Sequence, residues 1–131
     1  MAAEGNIDAG TLRDMLEGGK QVTVVDVRRD ADHAEWSIPG SVHVDAYDAL
    51  NAGDQRAMEG LELPKGAPVV TVCGHGGRSS AVAAEQLRRQ GHEVFSLEGG
   101  MKAWSLAWNT ADVPLPGFRA EVVQVRRTGK G

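Results

Sequence analysis

Val69-Val70-Thr71-Val72-Cys73-Gly74-His75-Gly76-Gly77-Arg78-Ser79 is the stretch from which the rest of the chain can be read. Its first four residues form an apolar run that predicts a buried strand. Residues 79–90 then predict a helix, carrying Val82, Ala83, Gln86, Leu87 and Gln90, with Gly91 suited to closing it. Arg88 and Arg89 fall near its C-terminal end, where the helix dipole favours cations. The only cysteine therefore sits where a strand passes into a helix. Backbone N–H groups of a glycine-rich turn and the positive end of a helix dipole converge at such a point and favour an anion. Arg78 adds a cation four intervening residues further on. The setting suits a sulfur nucleophile.

Working outward, the pattern alternates strand and helix. Residues 8–17 predict a short helix with Ile7, Leu12, Met15 and Leu16 toward one face, stopped by Gly18-Gly19. Residues 22–27 form a β-branched run, as in a strand buried on both faces. A short helix over 30–36 follows, then a Pro39-Gly40 turn and a strand marked by Val42 and Val44. Residues 47–58 predict a helix interrupted near Gly53, and 64–68 a loop. Beyond Cys73 come a strand over 94–97, a Gly99-Gly100 turn and a helix over 101–108. This alternation predicts a single α/β domain, with a mainly parallel central sheet of about five strands and helices on both faces. Residues 1–108 make up the domain. Residues 109–131 read as a linker with one strand-like segment, 121–125. Asp26, Arg28 and Cys73 all fall at strand ends, which predicts one shared rim.

Composition narrows the function. The 131 residues suffice for one domain with a core. A net charge of −4 argues against general nucleic-acid binding. No apolar run approaches the ~18–20 residues that cross a bilayer, and the N-terminus has no secretory-signal pattern. One cysteine forms no internal disulfide, which points to a reducing compartment, the cytoplasm. Four scattered histidines and one cysteine show no metal-ligand spacing, so neither metal nor cofactor is expected.

Three separated segments carry a resemblance to the rhodanese (sulfurtransferase) family over residues 7–108. They are Val24-Val25-Asp26-Val27-Arg28 with Ile38-Pro39-Gly40, the C-x-x-G-x-R-S loop at Cys73, Gly76, Arg78 and Ser79, and Leu97-Glu98-Gly99-Gly100-Met101-Lys102-Ala103-Trp104. The chain departs from the family pattern at Trp36-Ser37, where Gly-His is common, and at His33, where an aromatic is common. These changes alter packing near the second strand and leave the reaction class untouched. The tail over 121–131 resembles the opening strand of a metallo-β-lactamase-like domain. That implies a module fused or partnered to such a domain, of the persulfide dioxygenase kind, shuttling sulfur with little activity alone.

The family resemblance implies that Cys73 carries a sulfane sulfur as a persulfide. The donor is a thiosulfate or mercapto-acid, and the acceptor is cyanide or a thiol of glutathione, thioredoxin or a protein. Gly74, His75, Gly76, Gly77, Arg78 and Ser79 form the binding loop, the glycines letting its amides curl inward without Cβ clashes. Cysteine phosphatases use a loop one residue longer, so the ring here fits sulfur better than phosphate. A non-catalytic binding module is the other reading. His75 either tunes substrate binding or is a solvent-facing spacer. Ser79 either caps the helix or faces the substrate. Asp26 is expected to accept loop amides, and Arg28 either to orient an anionic donor or to pair with a carboxylate such as Asp32. Gly74 puts no charge beside the cysteine, so a strong preference for dianionic thiosulfate is not indicated. Trp36, Trp104 and Trp108 are read as packing residues, and His33, His43 and His92 carry no functional claim.

Overall fold

The computed structural model describes residues 5–75 and 77–109, with the backbone alone at 108 and 109. Gly76, the side chain of Trp108, and the linker and strand expected beyond residue 109 lie outside the described residues.

Ten elements alternate along the chain: β1 (Asn6–Ile7), α1 (Ala9–Glu17), β2 (Thr23–Asp26), α2 (Asp30–Glu35), β3 (Val42–His43), α3 (Tyr47–Asn51), β4 (Val69–Val72), α4 (Arg78–Arg89), β5 (Val94–Leu97) and α5 (Gly100–Asn109). The five strands form one parallel sheet in the order β1-β5-β4-β2-β3. Parallel strands need covered faces, and period-two alternation supplies them. Val25, Val69 and Val94 pack with Leu50, Ala83, Ala84 and Leu87 on the face covered by α3 and α4. Val24, Val70, Val72 and Leu97 pack with Leu12, Met101 and Trp104 on the face covered by α1 and α5.

The site follows from this order. β2 leads to its neighbour β3 on one side, and β4 leads to its neighbour β5 on the other. The connections leaving the carboxyl ends of β2 and β4 therefore diverge and leave a crevice between them. Arg28 and Cys73 stand at its two sides.

Two elements differ from the sequence expectation. Ile7 belongs to β1, paired with Leu97, rather than to the first helix. The helix expected over 47–58 is interrupted near Gly53, as expected, where φ is +88°, but it ends at Asn51 and does not resume; turns follow. Those turns stay attached through Gln86 on α4. Its amide donates to the Asp54 carbonyl at 2.8 Å, and its Oε1 accepts from the Met58 N–H at 3.1 Å. Among the described residues, no helix is long and apolar enough to cross a membrane.

Candidate active site

Cys73 follows β4 and is 3% exposed. The Gly77 N–H donates to its Sγ at 3.2 Å, and Ser80 Oγ lies 3.3 Å away. Burial pushes the thiol pKa up. The Ser80 hydroxyl and N–H, the Ser79 hydroxyl and the Gly77 N–H together outweigh burial, so the net shift is downward. Reactivity toward an alkylating agent should therefore rise with pH and level off at a lower pH than in the same chain unfolded in urea. Equal inflections in the two states would contradict this. The sign also makes the thiolate stabilising: that stability is present above the unfolded pKa and is lost as pH falls through the folded one.

The loop differs in detail from the sequence reading. Ser79 is no cap: the N-cap position of α4 is Gly77, without a side-chain cap bond, and Ser79 is buried with its hydroxyl toward the sulfur. Neither Gly74 nor Gly77 has positive φ, and a Cβ on either would meet nothing within 4 Å. Neither glycine is therefore required by a left-handed backbone or by a close contact. His75 and Arg78 are exposed. Ser80, the nearest hydroxyl on which the thiol leans, was missed. Its only signal is a place on the inward face of the first helical turn.

α5 holds the loop from behind. The Met101 N–H donates to the Cys73 carbonyl at 2.8 Å, and the Lys102 N–H donates to the Gly74 carbonyl at 3.0 Å. The turn that starts α5 requires glycine: Gly99 has φ +74°, and a Cβ there would lie 2.5 Å from the Ala103 Cβ. Gly99→Ala should cost about 1–3 kcal/mol in a urea melt. A loss below ~0.5 kcal/mol would show the turn to be adaptable.

Across the crevice, Asp26 and Arg28 form a buried pair. Arg28 Nη2 donates to Asp26 Oδ2 at 2.7 Å, Arg28 Nε to Oδ1 at 2.9 Å, and the Arg28 N–H to Oδ1 at 3.0 Å. The partner is thus Asp26, not Asp32. Arg28 Nη2 also donates to the Trp36 carbonyl at 2.6 Å. His33, at the departure from the family pattern, stacks on His43 with centroids 4.2 Å apart. Trp104 is fully buried, as packing requires, but Trp36 is 39% exposed and stands on the crevice wall.

The crevice holds about 600 Å³. Cys73, Gly77 and Ser79 line its floor, and Arg28, Arg29, Trp36, Tyr47, Arg78, Met101 and Lys102 are among its walls. Arg29 is held over the Tyr47 ring at 4.5 Å by Asp48, 2.7 Å away. Among the described residues four lining cations face one lining carboxylate, Asp32. Arg28 and Arg29 are paired with Asp26 and Asp48, so Arg78 and Lys102 supply the net positive charge that favours a small anion. Arg29 and Lys102 were not singled out from the sequence. Only folding brings the chain after β2 and the start of α5 to one mouth.

Residues 8–107 match the family described as rhodanese-like domain. The putative sulfurtransferase YtwF of Bacillus subtilis (strain 168) is 34% identical over 98 residues, covering 75% of this chain and 87% of that protein. The thiosulfate sulfurtransferase GlpE of Pseudomonas aeruginosa is 36% identical over 93 residues, covering 71% and 76%. A rhodanese-like domain protein from Staphylococcus aureus superposes with a TM-score of 0.56 at 31% identity, covering 76% of this chain and 89% of that one. With its thiol at the switch point of a parallel sheet and these relatives beside it, the chain belongs to the rhodanese-like domain family and is of sulfurtransferase type.

Proposed function

We propose that this protein moves a sulfane sulfur from a small anionic donor, thiosulfate or a mercapto-acid, to a thiol or cyanide, by way of a persulfide on Cys73. The observation that carries the reading is the setting of the sulfur. Cys73 receives the Gly77 N–H at the floor of an anion-favouring cavity, and its pKa is lowered. In the first half-reaction the thiolate attacks the outer sulfur of the donor. A new S–S bond forms, and the old bond breaks with its electron pair leaving on sulfite or the enolate of the acid. In the second, the acceptor attacks the terminal sulfur, and the Cys73 thiolate leaves with the electrons of the S–S bond. Covalent capture divides one transfer into two easier steps. Amides that favour the thiolate favour the anionic persulfide for the same reason. The acceptor in a cell is a thiol of glutathione, thioredoxin or a protein, and a reducing compartment such as the cytoplasm keeps both partners reduced.

Intact mass measurement tests this. Reduced protein incubated with thiosulfate or mercaptopyruvate and desalted should gain one sulfur, about 32 Da, and lose it on treatment with cyanide or a thiol, because only a thiolate nucleophile takes up the atom. An unchanged mass with both donors would overturn the reading.

A further inference from the structure

Beneath the thiol lies a row of hydroxyls that sulfur transfer by itself leaves without a task. Thr71 on β4 and Ser96 on β5 are partners across the parallel ladder. Two-residue alternation puts both on the face of Val69, Cys73 and Val94, toward α4. Ser80, in the first turn of α4, faces them. Thr71 and Ser80 are 0% exposed and Ser96 is 6% exposed. Valine or alanine would fit this face without a desolvation cost, so the hydroxyls call for a reason.

The geometry supplies one. Thr71 Oγ1 donates to the Ser80 carbonyl at 2.8 Å and fixes the turn. Ser80 Oγ lies 3.3 Å from Cys73 Sγ, 3.4 Å from the Gly77 carbonyl and 2.9 Å from Ser96 Oγ. A hydroxyl has one proton and two lone pairs. While Cys73 is a thiol, its S–H donates to Ser80 Oγ, and the Ser80 proton turns to the Gly77 carbonyl or to Ser96. Once Cys73 is a thiolate it only accepts, and the Ser80 O–H turns to the sulfur. A lone pair of Ser80 is then open to the Ser96 O–H, and linked hydrogen bonds strengthen one another.

We propose that Ser96 is a positioning residue for the nucleophile: from the neighbouring strand it donates to Ser80 and so directs the Ser80 hydroxyl onto the Cys73 thiolate. The proposal rests on Cys73 being the reactive thiol, but its test does not need sulfur transfer to occur. The rate of alkylation by iodoacetamide would be followed against pH for the full chain, for Ser80→Ala, for Ser96→Ala and for the double variant. Ser80→Ala is expected to raise the inflection by about one pH unit. Ser96→Ala is expected to raise it by about half a unit, roughly a threefold loss of thiolate below the inflection. In the Ser80→Ala background, Ser96→Ala should add nothing, since its effect passes through Ser80. An unmoved inflection in Ser96→Ala would overturn the proposal, as would an equal shift with and without Ser80. Failure of the wild type to take up sulfur would count against the transferase reading alone and leave this cycle interpretable.

Discussion

Cys73→Ser is expected to abolish sulfur loading and to reduce turnover with any donor by at least ~10³-fold. The size of the effect follows from acidity and bond chemistry together. The Gly77 and Ser80 donors bring a thiol, already acidic, further toward ionisation. A serine hydroxyl in the same place stays protonated at neutral pH, and an alkoxide would form no persulfide. The substitution exchanges one atom at a site whose Sγ already accepts hydrogen bonds, so the fold should survive. Thermal melting near that of the wild type, with no mass gain on thiosulfate, is the expected pair of results. Retained turnover in the variant would show that another group carries the sulfur.

Asp26→Ala is expected to have the largest effect on stability, about 3–5 kcal/mol, or a fall in Tm of more than about 10 °C. The Asp26 side chain is 1% exposed, and that of Arg28 11%. Removing the carboxylate leaves a buried guanidinium with the Trp36 carbonyl and orphans the Arg28 N–H as well. Coulomb attraction across the intact pair is largely offset by the cost of burying both charges, so the loss measures the stranded cation rather than the worth of the pair. Asp26→Asn, which keeps an acceptor for the Arg28 N–H, should lose less. A loss below ~1 kcal/mol in Asp26→Ala would mean that Arg28 swings out to water. Arg28 lines the crevice, so survivors of the substitution should also bind donors less well.

The sheet, its direction and the place of the thiol were legible because each rests on local pattern. β-branched runs bounded by turns mark strands covered on both faces, and helices between them dictate parallel pairing. β1 was not legible, since two residues have no periodicity, and Ile7 continues a helical spacing equally well. The interruption expected near Gly53 is present, with a left-handed residue there, but the helix expected to continue to Met58 does not resume and turns follow. At the site, residues adjacent in sequence to the cysteine could be named, but the Ser80–Ser96 contact spans 16 positions and depends on register. A carboxylate such as Asp32 was expected to pair with Arg28; the partner is Asp26, two residues before it, on the side that strand alternation gives both.

The nucleophile and the cavity mouth come from different parts of the chain. β4, the start of α4 and β5 make the sulfur reactive. Arg29, Trp36, Tyr47 and Lys102, on the segments after β2, on α3 and on α5, decide what can reach it. Gly77 and Arg78, at the start of α4, belong to both, but the side chains of Arg29, Trp36, Tyr47 and Lys102 do not touch the sulfur, so substitutions among them are expected to change which small anion enters while leaving the setting of the thiol intact.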